Sequence, residues 1–483
     1  MAKFNLLEEP WIPVLQEGGV EEVGLREALL RPDLGPIETP SPLEEAALYR
    51  LLLAVLHRAL EGPKDLDQAL DWLEEGLPED RLEAYLDRYH DRFYLFHEEA
   101  PFLQVADLPD KDPLPWTKLL PERASGNNPT LFDHSTDQDP PPLAYPEAAR
   151  ALLVHQAFTT GGLLRRLGVT SAKGGPLAGA AAFVAVGRTL RETLLLNLAP
   201  YEPQGDQALW ERPPLRTADL EGYRTAWPLS GVARVYVWPA RGVRLLDEGG
   251  GVRRMAYGPG VRPEEVAFRD PMVAYRQTQG RFLPLRLSVE RSFWRDLGAL
   301  LPGAGGSWPA VLEHAGALER EGGGLLPTRA RLRVLGQVAD QAKILDVRRE
   351  VYPLPPALLT PGGLSDLDFA LKRAEKAGEG LRGLAYRLAR DVLGDKDPEE
   401  LRRFARSLPL EPLYWHGLDL AFPSFLDRLD GGEARAFWKE ALARAVREAW
   451  EATRLFVGTE GRHLKALAQG ERALGGILKE VLA

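Results

Sequence analysis

The chain has 483 residues, a formal net charge of −10, 45% hydrophobic and 27% charged residues, and no cysteine. This is an ordinary soluble globular composition, long enough for about two to four domains. The missing cysteines exclude disulfides, thiolate zinc sites, iron–sulfur clusters and cysteine nucleophiles. The acidic balance excludes a general nucleic-acid coat, because non-specific affinity comes from neutralising phosphates; a local basic surface is still compatible with binding. No apolar run is long enough to span a bilayer, and Met1 to Val14 is interrupted by Lys3, Glu8, Glu9 and Pro10, unlike a signal peptide. A cytoplasmic location without membrane partners is the expectation.

In chain order, Phe4 to Val14 (FNLLEEPWIPV) reads as a short strand and a turn. Ser41 to Leu60 reads as a helix: Pro42 suits its first turn, Glu44 and Glu45 favour its N-terminal dipole, and Leu48, Leu51, Leu52, Val55 and Leu56 form an apolar face. Leu66 to Leu86 gives one or two acidic helices. Asp91 to Gln104 (DRFYLFHEEAPFLQ) is aromatic, and Pro109 to Glu122 is proline-rich.

Ser125 to Gln138 (SGNNPTLFDHSTDQ) is built as a loop, since Gly126, Asn127, Asn128 and Pro129 break helix and strand alike. Leu131 and Phe132 form an apolar pair inside it. Either the pair folds back onto the core, or it is a wedge among polar readers Asn127, Asn128, Asp133 and His134. Pro140 to Pro142 closes the loop.

Between Glu147 and Glu192 there is no acidic residue, but Arg150, Arg165, Arg166, Lys173, Arg188 and Arg191 are present. Two glycine bends fall here, Thr159 to Gly162 and Ser171 to Gly175. Glycine lets backbone N–H groups approach an anion, and the cations neutralise it. Thr160, Gly161, Gly162 and Lys173 are therefore candidate phosphate contacts, while Ala180 to Leu198 is expected to be mostly a core helix. Val232 to Trp238, Arg241 to Leu246 and Arg281 to Leu287 alternate like strands. A second basic stretch holds Arg329, Arg331, Arg333, Gln337, Gln341, Lys343, Arg348 and Arg349.

Leu354 to Gly363 looks like a linker. Beyond it, apolar-striped helices are expected over Ser365 to Leu393, Pro398 to Leu408, Leu413 to Leu429, Glu433 to Val457 and Arg462 to Leu482. The fold expectation is α+β: a large mixed N-terminal domain over residues 1–360, then a C-terminal antiparallel four-helix bundle over 361–483.

Recognisable catalytic sets are missing. There is no GxxxxGK[ST] phosphate loop, no GxSxG elbow and no GxGxxG opening a helix after a strand. His90-Asp91 is an HD dipeptide with His57 upstream, so the alternative to a binding subunit is a metal-dependent nuclease or phosphohydrolase using His57, His90 and Asp91.

FNLLEEPWIPV, FYLFHEEAPFLQ, SGNNPTLF, HQAFTTGG and DQAKILDVRRE together resemble the large subunit (CasA family) of the type I-E CRISPR Cascade surveillance complex, over nearly the whole chain. The resemblance implies a non-enzymatic antiviral-defence subunit; some relatives carry a cysteine-rich, zinc-like cluster, but this chain has no cysteine, so neither zinc nor another cofactor is expected. Its partners would be the other Cascade subunits, the 5′ region of the crRNA, double-stranded DNA carrying a protospacer-adjacent motif (PAM), and a helicase–nuclease. It implies contacts from the loop around Leu131, Phe132 and Asp133, a PAM-facing glycine loop at Thr159 to Gly162, and a glutamine wedge at Gln341 beside Lys343. It also implies a basic finger within Gly249 to Arg269, for which Arg253, Arg254 and Arg262 are candidates.

Overall fold

The computed structural model describes residues 2–123, 140–326, 330–340, 343–394, 396–458 and 460–483. The chain divides into two compact units, Met1–Leu300 with Ala304–Val351, and Leu301–Gly303 with Tyr352–Ala483. The first mixes helix and strand; the second is helical.

The first unit is built around the helix Pro42–Leu60. Ser41 caps it by accepting from the Glu44 N–H. Apolar side chains surround this helix on every side, so it is buried almost throughout rather than along one stripe. The helices Tyr145–Phe158 and Val232–Tyr236 and the strand Arg331–Asp340 pack on it. Arg50, fully buried on this helix, is resolved internally: its guanidinium donates to Asp270 (2.7 Å) and to the Val235 carbonyl (3.1 Å) and lies over the Tyr236 ring.

The strands form several small sheets. In one, Arg331–Asp340 lies between Lys343–Pro353 and Ala182–Val186, with Arg331 opposite Val186 and Leu335 opposite Ala182. In another, Val252–Pro259 lies between Arg241–Asp247 and Leu114–Pro115. The hairpin Gly162–Arg166/Val169–Ala172 stands by itself.

Two expected elements differ. Ala180 to Leu198 is not one core helix: Ala182–Val186 is a wholly buried strand and Leu190–Asn197 a separate helix. The helix starts where it does because Thr189 and Glu192 cap each other's backbone N–H groups. Asn197 then bonds the Ala185 N–H and carbonyl, replacing a ladder partner. Val232 to Trp238, read as a strand, is the short helix Val232–Tyr236. Asp206 decides it, because its buried carboxylate accepts from the N–H groups of Ala233 (2.8 Å) and Arg234 (3.0 Å). Those are the donors a helix start leaves unpaired.

The second unit holds five helices among the described residues: Pro361–Leu393, Pro398–Ser407, Leu410–Asp427, Ala434–Val457 and Gly461–Leu482. The long first helix packs on each of the other four. Trp438 anchors the centre, its indole N–H donating to the Ala370 carbonyl (2.9 Å) and its ring against Phe422 and Phe425. The unit begins ahead of Pro361, because Tyr352 already packs edge-on to Phe422 and Leu354 and Leu358 are buried.

Candidate nucleic-acid interface

The helix Tyr145–Phe158 runs into the first glycine bend, the exposed hairpin follows, and the second bend returns beside the first. The two bends are stitched together: the Gly175 N–H donates to Thr159 O (2.8 Å) and the Leu177 N–H to Ala157 O (2.9 Å). Gly175 is required by this approach, since a Cβ there would lie 2.5 Å from the carbonyl oxygens of Gln156 and Ala157. Gly162 is different. It is exposed, with φ at 155°, and a Cβ there would meet nothing within 4 Å. Of the candidate glycines, Gly162 is open to solvent; Gly161 is exposed but a Cβ there would lie 3.1 Å from the Gly174 nitrogen, and Gly174 and Gly175 serve backbone packing.

Beneath the first bend lies a cleft of about 250 Å³. Thr160, Gly161 and Gly162 line it together with Lys118, Arg123, Arg241, His155, Tyr257 and Ile344, and no Asp or Glu is among its described lining residues. Lys118 approaches the Tyr257 ring at 5.6 Å. His155 faces the Leu119 carbonyl through Nδ1 (3.3 Å) and the Tyr257 hydroxyl through Nε2 (3.0 Å). A carbonyl only accepts, so Nδ1 carries the proton and Nε2 accepts from Tyr257. Burial pushes the imidazole down to about 3, so it is neutral, and raises the Tyr257 hydroxyl. The positive charge that an anion can meet in the cleft therefore comes from the exposed Lys118 and Arg123, with Arg241 buried behind them. An anion held against these cations and the open Gly161–Gly162 backbone is what the arrangement suits chemically.

The other sequence candidates fall as follows. Lys173 sits at the second bend with its ammonium 3.3 Å from Glu265, both exposed. Lys343 is exposed at the start of its strand, next to the cleft-lining Ile344. Arg253 and Arg254 lie on the strand Val252–Pro259; Arg253 donates to the Pro140 carbonyl (2.6 Å), and Arg254 is opposite Pro115. Arg262 is exposed on the strand Arg262–Glu264. Asn127, Asn128, Leu131, Phe132, Asp133, His134, Arg329 and Gln341 lie outside the described residues.

Two readings of charge need correction. The acid-free interval is acid-free only in sequence. Arg150 reaches Glu22 (2.7 Å) and Glu44 (3.5 Å), Arg191 reaches Glu79 (2.8 Å), and Arg188 lies 3.8 Å from Glu192. Arg166 is held by the carbonyls of Asp112 and Tyr257. In the second basic stretch, Arg333 and Arg349 both bind Glu45, and Arg348 binds Glu350. These arginines fasten the fold.

The HD reading gains no site. His57 is buried, its Nδ1 3.1 Å from the Gly62 carbonyl and its ring against Tyr201, while His90 meets Asn5. No group of three or more His, Asp or Glu side chains is placed to hold a metal ion among the described residues. Nor is any helix among them long and apolar enough to cross a membrane.

Sequence reasoning passed over Lys118, Arg123 and Arg241. The signal for Arg241 was present: an arginine opening an apolar strand must find acceptors when that strand is buried.

The family model for the CRISPR-associated protein Cse1 matches residues 5–449. CasA/Cse1 of Thermus thermophilus is 60% identical over 100% of this chain and 98% of its own length. A solved structure of Thermus thermophilus CasA (Cse1) superposes with a TM-score of 0.91 at 58% identity, covering 99% of this chain and 100% of that one. Thermobifida fusca Cse1 gives a TM-score of 0.81 at 27% identity over 100% and 98% of the two chains. With its mixed first unit, its helical second unit and a match along almost all of its length, the chain belongs to the CRISPR-associated Cse1 (CasA) family.

Proposed function

We propose that this chain is the large, non-catalytic subunit of a type I-E Cascade complex. It meets the other subunits and the 5′ region of the crRNA, reads the PAM in double-stranded DNA, helps open the duplex and recruits a helicase–nuclease. Family membership supports the assembly, as does the shared fold with a chain of a CRISPR RNA-guided surveillance complex (TM-score 0.76, 24% identity). The observation that carries the DNA reading is the cleft under the first glycine bend, where the exposed Lys118 and Arg123 gather without a carboxylate among the described lining residues of a chain of net charge −10. Backbone phosphates position such a subunit, and the guide RNA reads the target by pairing.

The test is a mobility shift with PAM and scrambled-PAM duplexes, with and without the remaining subunits, across a salt series. The assembled complex is expected to prefer the PAM duplex. Lys118→Ala with Arg123→Ala is expected to flatten the log Kd against log salt slope by about two units, as for about two lost phosphate contacts. An unchanged slope and preference would remove the cleft from the reading. Divalent-metal-dependent cleavage by the purified chain that disappears in His90→Ala would overturn its non-catalytic part.

A further inference from the structure

Arg241 is 4% exposed and begins the strand Arg241–Asp247. Its guanidinium donates to three backbone carbonyls: Thr160 in the first glycine bend (2.7 Å), Lys173 in the second (2.7 Å), and its own neighbour Ala240 (2.7 Å). Its backbone is fixed as well, because its N–H donates to Gln156 Oε1 (2.9 Å) and its carbonyl accepts from Gln156 Nε2 (2.9 Å). Gln156 lies in the last turn of the helix that leads into the first bend. One residue thus ties together a helix end, a strand start and both feet of the hairpin.

Beyond those feet the hairpin is fastened at its turn, where the Gly222 N–H donates to Leu167 O (2.8 Å) and Arg166 donates to the Asp112 and Tyr257 carbonyls, and its first strand carries exposed side chains between the two. Leu163 is 77% exposed, and Arg165 is exposed with φ at 54°. Arg165 makes no hydrogen bond or ion pair with the described residues. A fork of planar donors fixes directions that a lysine ammonium cannot, because lysine presents a point charge on a flexible stem.

We infer that Arg241 is the positioning residue of the cleft: it sets the spacing of the two glycine bends and so aims Gly162, Leu163 and Arg165 at a nucleic acid. The inference rests on the proposed DNA reading of this cleft. Arg241 acts through the hairpin; its own donors are spent on carbonyls.

The experiment compares wild type, Arg241→Lys and Arg241→Met in the assembled complex, each with two readouts. The first is the ratio of Kd on scrambled-PAM to PAM duplex. Arg241→Lys is expected to lower this ratio about ten-fold while Kd on the scrambled duplex stays within two-fold, since the charge is retained and only the aim is lost. The second is amide hydrogen exchange, which needs no DNA. Exchange is expected to rise in Thr159 to Gly175 in both variants, with the core helix Pro42–Leu60 unchanged.

A folded Arg241→Lys protein with an unchanged ratio and unchanged exchange would overturn the inference. So would a uniform rise in exchange, or parallel loss on both duplexes, which marks general destabilisation. If wild type itself shows no preference for the PAM duplex, the DNA reading fails. The exchange arm then still decides whether Arg241 holds the hairpin.

Discussion

Arg333 Nη1 lies 2.6 Å from Oε1 of Glu45, a carboxylate with 0% exposure on the most buried helix of the first unit. Arg349 approaches the other oxygen at 2.8 Å from the neighbouring strand. Burial raises the Glu45 carboxyl and the two guanidiniums oppose that rise. Removing the acid strands two cations at the sheet–helix contact. Breaking a buried pair costs about 3–5 kcal/mol, and the partial exposure of both arginines brings this to the lower end. Glu45→Ala is therefore expected to lose about 3 kcal/mol in urea unfolding, and Glu45→Gln less, because the amide still accepts from Arg333. Two variants indistinguishable from wild type would mean that the arginines are fully served by Glu38, Ile37 and water.

Three buried histidines make stability depend on pH. Burial lowers His57 and His155 to about 3 and His314 to about 4, from an ordinary value of 6.5. Between those values the unfolded chain binds protons that the folded chain refuses, so stability rises with pH. The contribution is complete above about pH 6.5 and is lost as pH falls toward the folded values, at up to ~1.4 kcal/mol per pH unit for each histidine. Melting temperature should thus fall steadily from pH 6.5 to 5. His314→Gln keeps a donor for the Leu195 carbonyl but cannot titrate. It should make that fall shallower by about a third, whatever it does to the melting temperature at pH 7. A slope identical to wild type would place the pH dependence elsewhere.

The helices of the second unit and the buried helix Pro42–Leu60 were legible because their apolar spacing matches what packing later uses. Val232 to Tyr236 was not, because one helical turn buried on every side shows no face, and the carboxylate that starts it comes from Asp206, far back in sequence. Ala182–Val186 was misread for a related reason: a strand covered on both faces is a plain apolar run. The capping box at Thr189 and Glu192 could have divided it from the next helix. In the site, glycine bends were legible as bends. Which cations were free was not, because Glu22, Glu44, Glu45 and Glu79 reach them from elsewhere in the chain.

Two glycines of the last helix make a matched pair. A Cβ at Gly470 would lie 2.3 Å from Cη2 of Trp450, whereas one at Gly476 would meet nothing within 4 Å. Glycine to alanine inside a helix gains up to ~1 kcal/mol, so Gly476→Ala should stabilise by about that much. At Gly470 the same gain is set against overpacking, about 1–3 kcal/mol. The Trp450 indole is pinned by its bond to Glu471 (2.5 Å) and cannot swing aside without breaking it. Gly470→Ala should therefore destabilise, by about 1 kcal/mol or more. Denaturant unfolding of the two variants checks the sign, and stabilisation by both would show that Trp450 yields.

Gln341 falls between the strands Arg331–Asp340 and Lys343–Pro353. Of the arginines upstream and downstream of it, Arg333, Arg348 and Arg349 are bound to carboxylates, while Arg331 is exposed. Two residues further along the chain is the exposed Lys343, and Ile344 after it lines the cleft of Lys118 and Arg123. A glutamine amide both donates and accepts, so beside the PAM it can replace part of what the first base pair loses on opening. Unstacking one step costs a few kcal/mol. If Gln341 supplies about half of that, Gln341→Ala should slow R-loop formation on intact duplex about ten-fold or more, each ~1.4 kcal/mol being a factor of ten. A target already mismatched at the first protospacer pairs has no step to open, so on it the variant should run close to wild type. Stopped-flow fluorescence on both targets separates the roles, and equal slowing on the two would make Gln341 a general contact rather than a wedge.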